Sequence, residues 1–184
     1  MKARLTVLFL IVFGLSACSP LTIRDVDTGR QLVMTGGQFI LHQDLEVRPE
    51  RTHVFFQNGQ VTNSVGEYTP HCKIQVWKRV DTVQVIEADT FRIERVSWEI
   101  DNIVNSAPVV YASTELRLAS GGGGNGNGES DHMHVWRMRL HSDRQPDVRY
   151  LLCGGAFDTP GSARDATLQD IQNSLGDIAT LELP

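Results

Sequence analysis

The chain has 184 residues, 41% of them hydrophobic, and a formal net charge of −5 at neutral pH. One domain of this length can bury a hydrophobic core, whereas two domains would each be small. We therefore expect a single domain. Because the composition is acidic and the sequence has no basic patch, we expect this domain to bind neither DNA nor RNA.

The N-terminus has the layout of an export signal. Lys2 and Arg4 precede an apolar run from Leu5 to Phe13. This run is shorter than the roughly 20 residues that a spanning helix requires, and small residues follow it up to Cys18. We predict that residues 1–17 are a cleaved signal peptide. Loss of Lys2 and Arg4 would change the formal net charge from −5 to −7.

The end of this signal, Leu15-Ser16-Ala17-Cys18, resembles the lipobox of bacterial lipoproteins. The resemblance implies that Cys18 carries the lipid and that residues 18–36 are a lipidated N-terminus and polar tether. Several acyl chains hold a protein on a bilayer durably. Ser19, where inner-membrane lipoproteins of enteric bacteria often have aspartate, favours the periplasmic side of the outer membrane. The alternative is an ordinary secretory signal with a chance cysteine.

Residues 37–184 are predicted to form one β-rich domain. Apolar and polar side chains alternate from Phe39 to Val47, which is typical of a half-buried strand. The next apolar run ends at Asn58-Gly59, a dipeptide that favours a tight hairpin turn. Alternation from Cys72 to Val80 predicts a further strand with Cys72 facing the core.

The second half of the chain continues this pattern. Between Thr82 and Ile100 the apolar parity changes after Ile93, which predicts a bulge near Glu94-Arg95. A glycine-rich segment from Ser120 to Glu129 predicts a flexible hairpin loop. Further strands are predicted over Val109–Leu118, Met133–Leu140 and Val148–Cys153.

Only the C-terminal region has helical periodicity. Thr167 is a suitable N-cap with Asp170 three residues later, and Gly176 stands where a helix would end. The apolar stripe that would dock on the sheet consists of Leu168, Ile171 and Leu175. A last edge strand could contain Leu181 and Leu183. The expected fold is mainly β, a single antiparallel sandwich or partly open barrel with one short C-terminal helix.

Acylation of Cys18 would leave Cys72 and Cys153 as a pair in an oxidising compartment, so we predict a disulfide between them. Two buried free thiols or half of a metal site remain alternatives. The sequence has no CxxC spacing, which makes the metal alternative weaker.

Asp131-His132-Met133-His134 is the best candidate for chemistry. Strand alternation would place His132 and His134 on one face, as in zinc and copper sites. The third ligand would have to come from elsewhere; the possible donors are His71, Asp131, Met138 and His141. We favour the simpler interpretation of a strand that is polar at its loop end, and we expect no cofactor.

Trp77 is the other residue of interest. It shares the polar face of its predicted strand with Lys73 and Arg79. A large aromatic there is either an interface anchor or covered by a helix or loop of the same domain. Trp98 and Trp136 are expected to be shielded. The sequence contains no GxSxG, HExxH or SxxK motif, and we expect no enzymatic activity.

Four segments together resemble an uncharacterised group of proteobacterial envelope lipoproteins: Gln57-Asn58-Gly59, Tyr68-Thr69-Pro70-His71-Cys72, Leu152-Cys153-Gly154-Gly155 and Leu175-Gly176-Asp177-Ile178. The resemblance supports the lipid anchor and the cysteine pair and implies no established activity. We therefore expect a membrane-anchored, periplasm-facing accessory protein that binds another envelope protein. The first alternative is a small-ligand or metal-binding lipoprotein that uses His132 and His134. The second is a hydrolase with an unrecognised site.

Overall fold

The computed structural model describes residues 22–24, 31–102 and 131–184. The strands in this part of the chain are β1 (Thr22–Arg24), β2 (Gln31–Val33), β3 (Gln38–Leu41), β4 (Leu45–Val47), β5 (His53–Gln57), β6 (Gln60–Thr62), β7 (His71–Val76), β8 (Gln84–Ile86), β9 (Asp89–Asn102), β10 (His132–His141), β11 (Val148–Gly154) and β12 (Ala179–Glu182). Helix α1 (Leu168–Leu175) is followed by a 3-10 turn over Gly176–Ile178. Within the described ranges, no helix has the length and apolar character needed to cross a bilayer.

Eight strands form one antiparallel sheet in the order β12-β3-β9-β10-β11-β7-β5-β6. The sheet curls into a half-barrel. Two further antiparallel pairs, β1 with β2 and β4 with β8, lie outside this sheet. The predicted fold class is confirmed in its open-barrel form, with the short helix near the C-terminus.

Strand alternation separates the two faces of the sheet. The face that carries the fully buried side chains of Cys72, Ile74, Met138 and Leu151 is called the core face. Helix α1 packs on this face, mainly against β5, β7 and β12. Ile171 and Leu175 of its apolar stripe are buried in the same core, and Leu168 packs against it. The opposite side of the sheet is called the outer face.

The predicted ends of helix α1 are confirmed. The Thr167 hydroxyl accepts a hydrogen bond from the Asp170 amide at 3.1 Å, and the Asp170 carboxylate accepts one from the Thr167 amide at 2.9 Å. This capping box satisfies amide groups that would otherwise lack partners. The helix ends at Gly176, whose φ of 55° is costly for any residue with a Cβ.

The predicted hairpin turn at Asn58-Gly59 joins β5 to β6. Both residues have positive φ, 53° and 70°, as a type I′ turn requires. The turn also docks on the end of α1, because the Gly59 amide donates to the Ser174 carbonyl oxygen at 3.1 Å. A Cβ built on Gly176 would lie 2.5 Å from the Cα of Gly59, so the two glycines permit this close approach.

The predicted bulge is present at Glu94. In the β9–β10 ladder Arg139 pairs with Arg95 and Leu140 pairs with Ile93, which leaves Glu94 as the extra residue. A second bulge interrupts the β11–β7 ladder. Val148 pairs with Val76 and Tyr150 with Gln75, so Arg149 has no partner in that ladder.

Three predictions need correction. The alternating segment from Phe39 to Val47 is two strands rather than one, because β3 belongs to the large sheet whereas β4 pairs with β8. The strand from Cys72 ends at Val76 rather than at Val80, because the flanking strands begin opposite its last residues, at His53 and Val148. Trp77 therefore lies just beyond β7. Trp98 is 39% exposed rather than shielded. Helix α1 packs mainly against β5, β7 and β12 and leaves this end of β9 uncovered.

The segment expected to be a tether also contributes to the fold. Strands β1 and β2 pair within residues 18–36, and Met34 is fully buried in the core. The packed body therefore begins before residue 37. Cys18, the predicted strand Val109–Leu118 and the glycine-rich segment from Ser120 to Glu129 lie outside the described residues.

Candidate functional site

The predicted disulfide between Cys72 and Cys153 is present. The two residues are direct cross-strand partners on β7 and β11, with 4.1 Å between their Cα atoms. Both side chains are fully buried on the core face. The disulfide therefore has a structural position, away from the solvent-exposed groups described below.

The structure brings His134 to a carboxylate. Its Nδ1 lies 3.0 Å from Oδ1 of Asp165, and the Trp98 indole N–H donates to the same oxygen at 2.7 Å. The backbone of His132 pairs with that of Asp158. Among the described residues, no group of three or more His, Cys, Asp or Glu side chains is placed to hold a metal ion. His134 thus helps to attach the segment around Asp165 to the end of the β9–β10 pair.

The three tryptophans have different environments. Trp136 is buried, as expected, and its indole N–H donates to the Ala166 carbonyl oxygen at 3.0 Å. Trp77 is 64% exposed, so cover by its own domain is limited. Its ring stacks with the guanidinium of Arg149, 3.7 Å from the ring centroid. Arg149 is the residue of the second bulge, and bulges commonly redirect a side chain in this way.

Arg149 begins a row of stacked side chains across the outer face. Its guanidinium also lies 5.3 Å from the Tyr150 ring centroid, and that of Arg137 lies 4.0 Å from the same centroid. Arg137 in turn donates to Glu99 at 2.8 Å. We call Trp77, Arg149, Tyr150 and Arg137 the aromatic–arginine row. Each exposed cation–π contact contributes about 0.5–1 kcal/mol, enough to orient these rings before any partner arrives.

Two clefts flank the row. The first, about 270 Å³, contains Trp77, Arg139, Arg149 and Glu94 in its wall, so both bulges border it. The second, about 350 Å³, is called the arginine cleft; its lining residues are Arg95, Ser97, Glu99, Arg137, Arg139 and Tyr150. Arg139 lines both clefts, so they are adjacent. Bulges are enriched beside functional sites, and here two of them shape one surface.

Electrostatics at this surface favour anions. The hydrogen bond to Glu99 raises the pKa of Arg137. The guanidinium is charged at physiological pH with or without this shift. The sequence was expected to have no basic patch. The sheet nevertheless assembles one from β9, β10 and β11, which contribute arginines far apart in the chain. Strand alternation places Arg137 and Arg139 on one face, but no spacing along the sequence brings Arg95 beside them.

A third concavity lies at the other end of the outer face. It has a volume of about 170 Å³ and is mainly apolar, with Phe55, Met133, Leu152 and Phe157 among its lining residues. His71 also contributes to the wall. Burial lowers the pKa of His71, although the Thr69 carbonyl oxygen that its ring contacts opposes the shift.

The chain was also compared with known proteins. No protein-family model, no curated protein and no solved structure matches it.

Proposed function

We propose that this protein is a lipid-anchored lipoprotein of the outer membrane that faces the periplasm and acts without catalysis, by binding another envelope protein. The observation that carries the proposal is the 64% exposure of Trp77 beside Arg149. The lipobox-like sequence ending at Cys18 supports the anchor. The aromatic–arginine row supports the mode of binding.

The composition of the row matches that of protein-binding hot spots. Trp, Tyr and Arg are the residues most enriched there, because they bury large areas and still offer polar groups. Trp77 retains most of its surface for a partner. Arg149 holds the indole by stacking, so less side-chain entropy is lost on association than for a ring without this neighbour.

The partner interaction is tested by photo-crosslinking in intact cells. A photoreactive phenylalanine analogue replaces Trp77 in the anchored protein, and the captured envelope protein is identified by mass spectrometry. The matched control places the same analogue at Val85, another exposed apolar position on a different pair of strands. We expect a discrete product from position 77 and none from position 85. Identical products at both positions, or none at 77, would contradict the proposal.

The anchor is tested separately. Two or three acyl chains on Cys18 should make the protein fractionate with membranes, whereas Cys18→Ala should leave it unacylated. Mass spectrometry of the mature N-terminus measures this directly. An unmodified Cys18 in wild-type protein from a Gram-negative host would rule out the anchor while leaving the binding surface untested by that result.

The apolar concavity supports a second candidate function, binding of a small nonpolar ligand. Its volume of about 170 Å³ is close to that of an engineered apolar cavity of about 150 Å³ that accepts benzene. Toluene should shift the NMR signal of the Met133 methyl group, and Leu152→Phe, which fills the pocket, should abolish the shift. An unchanged response in Leu152→Phe would exclude this site.

A further inference from the structure

The arginine cleft contains an arrangement that the fold itself does not require. Arg95 of β9 and Arg139 of β10 are direct cross-strand partners, and Arg137 is two residues along β10 on the same face. Like charges directly opposite each other destabilise a sheet. An anion bound between them would remove this repulsion.

Carboxylates of the protein compensate the cluster only in part. Arg137 pairs with Glu99 at 2.8 Å and Arg139 pairs with Glu94 at 3.3 Å. Arg95 is exposed and has no ion pair within the described residues. The cleft therefore has an excess of positive charge in a chain whose net charge is −5.

A second observation is an unpaired donor on Arg137. The Nε atom of Arg137 is inaccessible to solvent and has no hydrogen-bond partner in the described part of the chain. A buried donor on a charged group that lacks an acceptor costs free energy, and such atoms are rare in folded proteins. Arg137, Ser97 and Tyr150 line the same cleft.

We infer that the arginine cleft binds a phosphate group, presented either by a phospholipid headgroup or by a soluble phosphate ester. Phosphate oxygens point in several directions and can accept from guanidinium groups on two strands at once, whereas a carboxylate is planar. The hydroxyls of Ser97 and Tyr150 can donate to the remaining oxygens. This inference goes beyond the proposed function, because it requires neither a protein partner nor an acylated Cys18.

The experiment uses the exported chain carrying Cys18→Ala, so that no acyl group inserts into vesicles. The arginine Nε–H signals are followed by NMR during titration with inorganic phosphate and with glycerol 3-phosphate. Sedimentation with phosphatidylglycerol vesicles and with phosphatidylcholine vesicles measures binding to lipid. The test variants are Arg95→Gln and Arg139→Gln, and the matched control is Arg51→Gln, an exposed arginine outside the cleft.

Saturable binding of either soluble phosphate, weakened at least about tenfold in both test variants and unchanged in Arg51→Gln, supports the site with a soluble ester as ligand. The same dependence seen only with phosphatidylglycerol vesicles supports it with a lipid headgroup as ligand. Equal binding by all variants, or no binding to any phosphate probe, overturns it. Binding of polyglutamate without binding of phosphate also overturns the phosphate site and indicates that the cleft binds an acidic protein. Because Arg95 is exposed, circular dichroism should show Arg95→Gln to be folded.

Discussion

On strand β10, Trp136 and Met138 lie in the core, whereas Arg137 and Arg139, which alternate with them, lie on the outer face. The core face is covered in part by helix α1 and contains the disulfide. The outer face keeps charged and aromatic groups in solvent. Side chains on the core face of β10 therefore stabilise the fold, whereas those on its outer face are available to a ligand. Substitutions on the two faces should therefore separate stability from binding.

The largest effect on the core side is expected from the disulfide. Its two residues are 81 positions apart, and in the chain-entropy model closing such a loop stabilises the fold by about 4.5 kcal/mol. Cys72→Ser should lower the free energy of unfolding by about this amount, as measured by urea denaturation, and the double variant with Cys153→Ser should behave alike. Cys153 should become reactive towards maleimide after unfolding. Reaction of both cysteines in unfolded, non-reduced wild-type protein would show that the bond is absent.

The next effect is expected where the hairpin turn meets the helix. Gly176 has a φ of 55° and a ψ of −139°, and a Cβ there would lie 2.5 Å from the Cα of Gly59. Gly176→Ala should lower the free energy of unfolding by about 2–4 kcal/mol through backbone strain and overlap. Gly161→Ala is the control, because its Cβ would meet no atom within 4 Å. Similar melting temperatures for the two variants would show that the contact is not tight.

A smaller effect is expected at the start of α1. Thr167→Ala removes the hydroxyl that accepts from the Asp170 amide and should cost about 1 kcal/mol in thermal or urea unfolding. Gln172→Ala, on the exposed side of the same helix, is the control. If both substitutions leave the unfolding midpoint unchanged, the cap does not contribute to stability.

The cap also predicts a pH dependence. Burial alone would raise the pKa of Asp170, but hydrogen bonds from Arg164 and Thr167 outweigh it and lower the pKa. The charged carboxylate therefore stabilises the fold above its unfolded pKa of about 3.9, and this contribution is lost as the pH falls through the lower folded value. Unfolding measured from pH 6 to pH 2 should depend less on pH in Asp170→Asn. If the stability of Asp170→Asn depends on pH as steeply as that of the wild type, other carboxylates cause the dependence.

The smallest stability effect is expected on the outer face. Trp77→Phe should change the free energy of unfolding by less than about 1 kcal/mol, because the ring is exposed and gains mainly its contact with Arg149. The same substitution should remove much of the fluorescence that acrylamide quenches, while Trp136 stays shielded. A large loss of stability in Trp77→Phe would show that Trp77 stabilises the fold and would argue against the proposed interface.

The sequence predicted well those features that depend on neighbours in the chain. Alternation placed Cys72 in the core, a parity change located the bulge at Glu94, and turn and cap residues marked Asn58-Gly59 and Thr167. Each of these depends on backbone preferences of a few consecutive residues.

Features set by strand pairing were not predictable in this way. The end of β7 depends on where β5 and β11 begin, and neither start is encoded near Val76. The cross-strand pair Arg95 and Arg139 exists because of one particular register between β9 and β10. Asp165 reaches His134 from a segment without regular periodicity. Such contacts follow from topology, which one sequence does not reveal.

The docking of Gly59 on Gly176 also bears on the order of events during folding. Strand β12 covers one edge of the sheet through β3, and the 3-10 turn just before it contacts β6 at the opposite edge. Residues 168–182 are synthesised after every other described strand. Until this segment is synthesised, β3 lacks its partner β12 and β6 lacks its contact with the 3-10 turn, and unpaired strands favour intermolecular pairing. A chain that ends before this segment should therefore be prone to aggregation.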